Sequence, residues 1–490
     1  MRLAVVLHLT GVLVRLFGPM LLLPALVAAY YREFGDAAGF ALTGTGTIVL
    51  GHLMRLAGGA KVEHAAERLR RVEGMTVVAG SWMLMAHLAA IPYVWAGLGF
   101  IDALFESMSG LTTTGATVFR DFSRFGRGIF FWRSLTHWVG GMGVIALFVA
   151  VLPRLAIGGR ELFFAEASGP TDEKLTPQLR QTALALWRLY AALTAAEIVA
   201  LWLAGMSPFD AVCHAMATLA AGGFSPHPAS IAGYDSALIE WIIIVFMFLA
   251  GANFALQFRV FVRGHTAALF NDEEFRAYAG VVLASAAVLV VLLTPAGQSF
   301  LGAIRPALFQ TLSIITTTGF ASQDFNLWGD PAKVVLLGLM FIGGCAGSAG
   351  GGPKVVRHVL MARYTLRELR RTLHPRAVLP VKLGGRVVPD DTMRDVVVFM
   401  LFYVLTYAVT AAVVILLGAD LVTGISGAAA AIGNVGPGFG AVGPMAHFAD
   451  LHPISRIVLT MAMWLGRLEV LTVLVLIRGE VWRSARWRLN

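Results

Sequence analysis

Charge is scarce in this sequence of 490 residues. Asp, Glu, Lys and Arg make up 14% of it, against roughly 25% in an ordinary soluble protein. A chain so poor in charge cannot dissolve its own surface, which excludes a soluble enzyme, a DNA-binding module and a secreted domain. Cysteine is nearly absent: Cys213 and Cys345 are too few for a disulfide framework and too far apart for a Cys-x-x-Cys pair. The 12 histidines form no His-Glu-x-x-His pattern and no His–Cys cluster, so the usual zinc chemistries find no support. No convergent set of nucleophile, base and metal ligand appears, so a membrane-embedded enzyme acting on lipid finds none either.

What is present is apolar. Hydrophobic residues are 57% of the chain, the mean hydropathy is +0.74, and the apolar residues fall in blocks at 76–100, 129–153, 237–258, 278–293, 396–417 and 457–477. Blocks of about 17–25 apolar residues cross a bilayer core of roughly 30 Å as helices. Residues 4–31 and 40–54 read as two further membrane helices. The formal charge of +9 is topological and not a nucleic-acid footprint. Ten Lys or Arg lie in 354–394 and four in 478–488, with none in 206–236 or 419–455. By the positive-inside rule the basic segments, and both termini, lie in the cytoplasm. The loop bearing Arg120, Arg124 and Arg127 departs from this trend and reads as a structured outer rim.

Four segments share one grammar, a short semi-apolar helix that runs into a glycine. They end in Thr112-Thr113-Thr114-Gly115, Ala220-Ala221-Gly222, Thr316-Thr317-Thr318-Gly319 and Asn434-Val435-Gly436. Their spacing of roughly 100 residues marks internal duplication. They are too short to span twice and too apolar for solvent loops, so each reads as a re-entrant half-helix, whose bare backbone is tolerated only beside protein or a wet cavity. Each unit enters and leaves on one side, so the repeats are parallel around an axis along the membrane normal. The half-helices turn partially negative ends inward, glycine permits the turn, and strips of carbonyls replace the hydration shell of a monovalent cation. The expected fold is an all-α membrane protein of about ten transmembrane helices. Two N-terminal helices (1–71) precede four parallel helix–pore-loop–helix repeats around a central pore, at 72–160, 176–265, 274–372 and 392–490. The third has a broken second helix and the fourth a basic tail.

That break is expected at Gly343, Gly344, Cys345, Ala346, Gly347, Ser348, Ala349, Gly350, Gly351 and Gly352. No strand precedes this run and no Gly-Lys-Ser/Thr follows it, so it is not a nucleotide loop. Arg467 falls inside the last apolar block, where a central charge costs about 2.5–3.5 kcal/mol. It therefore faces a cavity or a partner. Glu469, two residues on, lies on another helix face and is a poor partner. For Arg133, near the outer third, an interfacial and a pore role both stand, and His137 reads as a packing residue. No carboxylate relay is evident in the spanning segments, because Asp102, Glu106 and Asp210 fall at the starts of short helices.

The four glycine segments occur with Trp132-Arg133-Ser134, His137-Trp138 followed by Gly140-Gly141-Met142-Gly143, Gly251-Ala252-Asn253-Phe254, the 343–354 run, and Leu465-Gly466-Arg467-Leu468-Glu469. This set, in this order over nearly the whole chain, resembles the Trk/Ktr/HKT superfamily of potassium transporters, most closely its bacterial TrkH/TrkG branch. The resemblance implies K+ as the transported ion, with no organic cofactor in this chain. It places Thr112–Gly115, Ala220–Gly222, Thr316–Gly319 and Asn434–Gly436 at a selectivity filter. Gly115, where sodium-preferring relatives carry serine, implies potassium. Ala220-Ala221 stands where Thr or Ser is usual, Gly433 replaces a usual Asn, and Pro353 an aliphatic residue. The 343–352 run is implied to be a flexible gating loop below the filter, and Arg467 a charge facing the pore that raises the barrier to cations. A homodimer with one pore per subunit in the bacterial inner membrane is implied, with a separate cytosolic nucleotide-binding subunit of TrkA type docking on the basic face. The function so implied is channel-like potassium uptake; a proton- or sodium-coupled symporter is the alternative.

Overall fold

The computed structural model describes residues 1–59, 70–150, 175–294 and 299–470, and positions 473, 476 and 482 beyond them. The basic tail read at 478–488 lies outside the described residues apart from Trp482.

Two antiparallel helices, α1 (Leu3–Tyr30) and α2 (Phe34–Gly58), open the chain. Gly11 and Gly18 of α1 meet Gly51 and Gly44 of α2, and Gly58 packs against Ala4 and His8. A Cβ on Gly11 would meet the Arg55 backbone, one on Gly51 the Arg15 backbone, and one on Gly58 the His8 side chain. Small residues let membrane helices approach this closely, which replaces a hydrophobic drive that lipid does not supply.

The first repeat is α3 (Arg71–Trp95), α4 (Phe100–Leu111) and α5 (Arg127–Ala150). The second is α6 (Leu175–Leu203), α7 (Pro208–Leu219), α8 (Ala237–Gly251) and α9 (Phe254–Phe261), followed by a short α10 (Ala267–Asn271). The third is α11 (Glu273–Leu293), α12 (Phe300–Ile315), α13 (Asp330–Met340) and α14 (Val355–Leu373). After a two-residue hairpin pair, Lys382–Leu383 with Arg386–Val387, the fourth is α15 (Asp390–Leu416), α16 (Leu421–Ile432) and α17 (Pro453–Arg467). The molecule is thus an all-α membrane protein with four like-built repeats behind an N-terminal hairpin. Among the described residues six helices are long and apolar enough to span, seven with α8 and α9 counted as one.

The short helices α4, α7, α12 and α16 begin where sequence chemistry says they should. Ser207, Ser299 and Asp420 accept from the backbone N–H groups of Asp210, Gly302 and Thr423, as N-caps do. Three of them have 12 residues and α12 has 16, about 18 and 24 Å at 1.5 Å per residue, so all are too short to cross a core of roughly 30 Å.

Two helices differ from expectation. The apolar block 237–258 is not continuous: α8 and α9 meet at 110°. Asn253 drives the break, since its side chain accepts from Ala255 N (2.7 Å) and Leu256 N (3.2 Å) and so starts a new helix instead of continuing the old one. The last block is also interrupted: α17 ends at Arg467, Glu469 is left-handed (φ 61°), and Val470 is helical again.

Candidate functional site

Each short helix ends in the same way. Thr113, Ala221, Thr317 and Asn434 all have positive φ (51°, 55°, 61° and 55°). In repeats 1, 2 and 4 two bonds close the helix behind them. Thr113 N reaches Gly110 O and Thr114 N reaches Ser109 O; Ala221 N and Gly222 N reach Thr218 O and Ala217 O; Asn434 N and Val435 N reach Ala431 O and Ala430 O. This is the Schellman pattern, whose left-handed position is usually glycine. A β-branched Thr there costs roughly 1–2 kcal/mol, a strain that concentrates at functional sites.

Two residues further on, Gly115, Gly223, Gly319 and Gly436 again have positive φ, between 78° and 105°. The second strip is therefore in register through Gly223, one residue beyond the Gly222 aligned from sequence. Gly222 instead matches Thr114, Thr318 and Val435. The available signal was the following phenylalanine: Gly223-Phe224 parallels Gly319-Phe320.

These glycines show how the repeats meet. A Cβ on Gly115 would fall on the Gly222 carbonyl oxygen, on Gly223 on that of Thr318, on Gly319 on that of Val435, and on Gly436 on that of Thr114. The contacts run 1 to 2, 2 to 3, 3 to 4 and 4 to 1, so the four strips form a closed ring. Each contributes one carbonyl at the same register. Thr112, Thr113, Thr114, Ala220, Ala221, Thr316, Thr317, Thr318, Asn434 and Val435 are wholly buried, while Gly115, Gly223, Gly319 and Pro437 open onto a cavity at one mouth of the ring. Hydroxyl pairs Thr112–Thr114 and Thr316–Thr318, both 2.8 Å, stiffen two diagonal strips. Strip 2 has no hydroxyl at these positions, and strip 4 uses Asn434, which donates to Thr114 Oγ1 and Met463 O at 2.9 Å each.

Behind strip 2 stands His137. Its ring stacks on Phe224 (4.2 Å between centroids) and occupies the space a Cβ on Gly222 would need. It packs, as the sequence indicated. Arg133 is deeply buried behind strip 1 in an ion pair with Glu106 (2.7 Å), which decides between its two sequence readings in favour of the ring. Glu106 was passed over as a helix-start residue.

The 343–352 run sits on the opposite side of the ring from the cavity and is a folded, hydrogen-bonded plug. It fills the break in repeat 2: Cys345 N donates to Gly251 O (2.8 Å), Ala349 N to Ala250 O (3.2 Å), and Phe254 N to Gly347 O (3.1 Å). Gly351 N donates to Thr317 Oγ1 (2.7 Å), and a Cβ on Gly350 would strike Thr316 O. Glu274 Oε1 accepts from both Ala346 N (2.7 Å) and Val356 N (3.1 Å), so one carboxylate ties the two ends of the plug. Lys354, itself at φ 75°, donates to Ser348 Oγ (3.3 Å) and to Gly350 O. Gly344 and Gly352 complete the run, Gly352 with φ 71°. Sequence reading missed Glu274 and Lys354, since a carboxylate at a helix start and one Lys in a basic segment carry no distinguishing pattern.

Arg467 joins the plug to α5. It is 6% exposed, and its guanidinium donates to Ala349 O (2.9 Å) and to Gly140 O (3.2 Å). Glu469 pairs with Arg357 instead (2.6 Å). On the cavity side, Arg120 pairs with Asp450 (2.9 Å) and Arg127 stacks on Tyr31 (4.4 Å). These contacts anchor the loop whose charges the topology rule did not explain.

A sequence model of the TrkH family, described as a cation transport protein, matches residues 45–484. The Trk system potassium uptake protein TrkH of Vibrio parahaemolyticus is 40% identical over 98% of this chain and 99% of its own. TrkH of Escherichia coli is 39% identical over 97% and 99%, and TrkG of that species 38% over 98% and 99%. The crystal structure of the potassium transporter TrkH from Vibrio parahaemolyticus superposes with a TM-score of 0.89 over 99% of this chain and 100% of that one, at 38% identity. These relatives are transporters and not enzymes, and the chain belongs to the TrkH family of membrane cation transport proteins.

Proposed function

We propose that this protein takes up potassium across the bacterial inner membrane by channel-like conduction through the ring of four strips. The closed ring carries the reading. Thr114, Gly222, Thr318 and Val435 place carbonyls at one register, and such oxygens replace the shell of a monovalent cation. That these relatives are potassium uptake proteins supports the choice of ion, as does glycine at 115. The ion site comprises Thr112–Gly115, Ala220–Gly223, Thr316–Gly319 and Asn434–Gly436. The cavity beyond Gly115 faces the outside, and the 343–352 plug with Arg467 is the gate beneath. The plug's displacement breaks the Gly251, Thr317, Glu274 and Arg467 bonds together. The two termini and the basic face are cytoplasmic, where a TrkA-type nucleotide-binding ring docks on a homodimer.

Ion flux into proteoliposomes tests this directly, with potassium, rubidium, sodium and lithium compared and Gly115→Ser alongside. Selective potassium and rubidium flux that the variant shifts toward sodium supports the filter. Flux indifferent to the cation, or untouched by the substitution, overturns it.

One observation favours coupled symport as a second reading. Glu197, inside α6, is wholly buried, and neither carboxylate oxygen makes a well-formed hydrogen bond. From the sequence no carboxylate relay was evident in the spanning segments, and Glu197 was not singled out. Potassium flux driven by an imposed proton gradient, and lost in Glu197→Gln, selects the symporter; flux that follows the potassium gradient alone selects the channel.

A further inference from the structure

Each strip is braced from behind, and the braces are not alike. The residue seven positions before each left-handed residue is Glu106, His214, Gln310 and Gly427. In repeat 3, Gln310 donates to Phe320 O (3.0 Å). In repeat 2, His214 Nε2 lies 3.0 Å from Ser225 Oγ. Repeat 4 has no side chain at 427 and uses the neighbouring Ser426, which accepts from Phe439 N (2.8 Å). All three are neutral groups that hold a strip to its own half-helix.

Repeat 1 does this with a charge. Glu106 accepts from Val118 N (2.9 Å) and from Thr117 Oγ1 (3.1 Å), and its carboxylate is wholly buried. Arg133 answers it at 2.7 Å, donates also to Thr117 Oγ1 (3.1 Å), and reaches across the seam to Ser225 O (3.1 Å) just past strip 2. Its guanidinium lies between the rings of Phe224 (4.0 Å) and Phe119 (4.5 Å). A buried ion pair is weak evidence for stability, because taking both charges from water costs much of what their attraction returns. Gln310 shows that a neutral side chain suffices to brace a strip. What the charged version adds is the bond from repeat 1 to the backbone of repeat 2.

We propose that the Glu106–Arg133 pair is a positioning pair that sets the separation of strips 1 and 2, and through it the discrimination of potassium from sodium. This rests on the ring being the selectivity filter. Strip 2 has neither the hydroxyl pair of strips 1 and 3 nor the amide ties of Asn434 in strip 4, so its position depends most on its neighbours. Sodium is the smaller ion, and a seam free to close accommodates it. Neither residue belongs to the four strips, although Arg133 also lines the cavity beyond Gly115.

The test compares K+/Na+ flux ratios in proteoliposomes loaded with equal amounts of monodisperse protein. A merely structural role changes the yield of folded protein and leaves the ratio alone. Glu106→Gln, which keeps the acceptor oxygen and strands the Arg133 charge, lowers the ratio about tenfold. The double variant Glu106→Gln with Arg133→Gln buries no charge and lowers it several-fold. Thr117→Val, which removes the shared hydroxyl with both charges in place, lowers it about twofold. Should Glu106→Gln fail to fold, the other two decide. A ratio unchanged in the variants that fold, while Gly115→Ser shifts it, overturns the proposal and leaves the filter reading intact. A ratio that Gly115→Ser also leaves unchanged removes the filter reading and the proposal with it.

Discussion

In the strips that end at Gly115, Gly223, Gly319 and Gly436 the four repeats do the same thing; on the plug side each does something different. The ring is built from four copies of one turn, with the same backbone signs at the same register. Below it, repeat 2 supplies a broken helix, repeat 3 a ten-residue plug and a carboxylate latch, repeat 4 a buried arginine, and repeat 1 only the Gly140 carbonyl that the arginine reaches. Coordinating a spherical ion needs equivalent ligands from all sides. Blocking and unblocking a path needs one element with two arrangements. Duplication yields the first directly and leaves the second to local divergence.

The largest expected effect breaks the symmetric part. Gly223→Ala puts a Cβ on the Thr318 carbonyl at a left-handed residue, and should cut potassium flux about a hundredfold at unchanged expression. Gly222→Ala meets only the His137 ring, a side chain that can move, so it should cost less and be partly restored by His137→Ser. Equal losses in the two alanine variants, without rescue, would put the register back at Gly222.

The asymmetric half responds in the opposite direction. Arg467→Ala removes two charge-assisted bonds, each worth about 1.5–3 kcal/mol, and a positive charge below the ring. Basal flux should rise about tenfold or more in the absence of any regulatory subunit; a fall would mean that Arg467 holds the conducting path open. A smaller rise, a few-fold, is expected from Asn253→Ala, because losing an N-cap costs about 1 kcal/mol and loosens the break that receives the plug. An unchanged open fraction in single-channel records would separate that cap from gating. The smallest effect belongs to the rim. The Arg120 and Asp450 side chains are 62% and 69% exposed, and pairs of that kind contribute about 0–1 kcal/mol. Arg120→Ala should leave both flux and ion ratio within about twofold.

The same division governs how much was legible in the sequence. Four near-regular glycine segments announced the ring, because duplication repeats composition as well as geometry. Their register was misread by one residue at Gly222-Gly223, where two glycines in a row hide which of them adopts the left-handed turn. The plug was visible as a glycine run, but its bonds were not. They depend on the helix break at Asn253, and a polar residue in an apolar block does not declare whether it caps a new helix or faces a cavity. The Glu106–Arg133 pair was unreadable for a related reason. Its partners lie 27 residues apart on different helices, and neither position repeats elsewhere in the chain.

The ring closes between repeats 4 and 1, where Asn434 bonds Thr114, 320 residues away in the chain. At roughly 5–20 residues per second of synthesis, strip 1 exists for about 15–60 s before the strip that completes it has been made. During that interval the earlier strained turns await the neighbour that closes the ring. The repeat made last is thus the one that both closes the ring and carries Arg467.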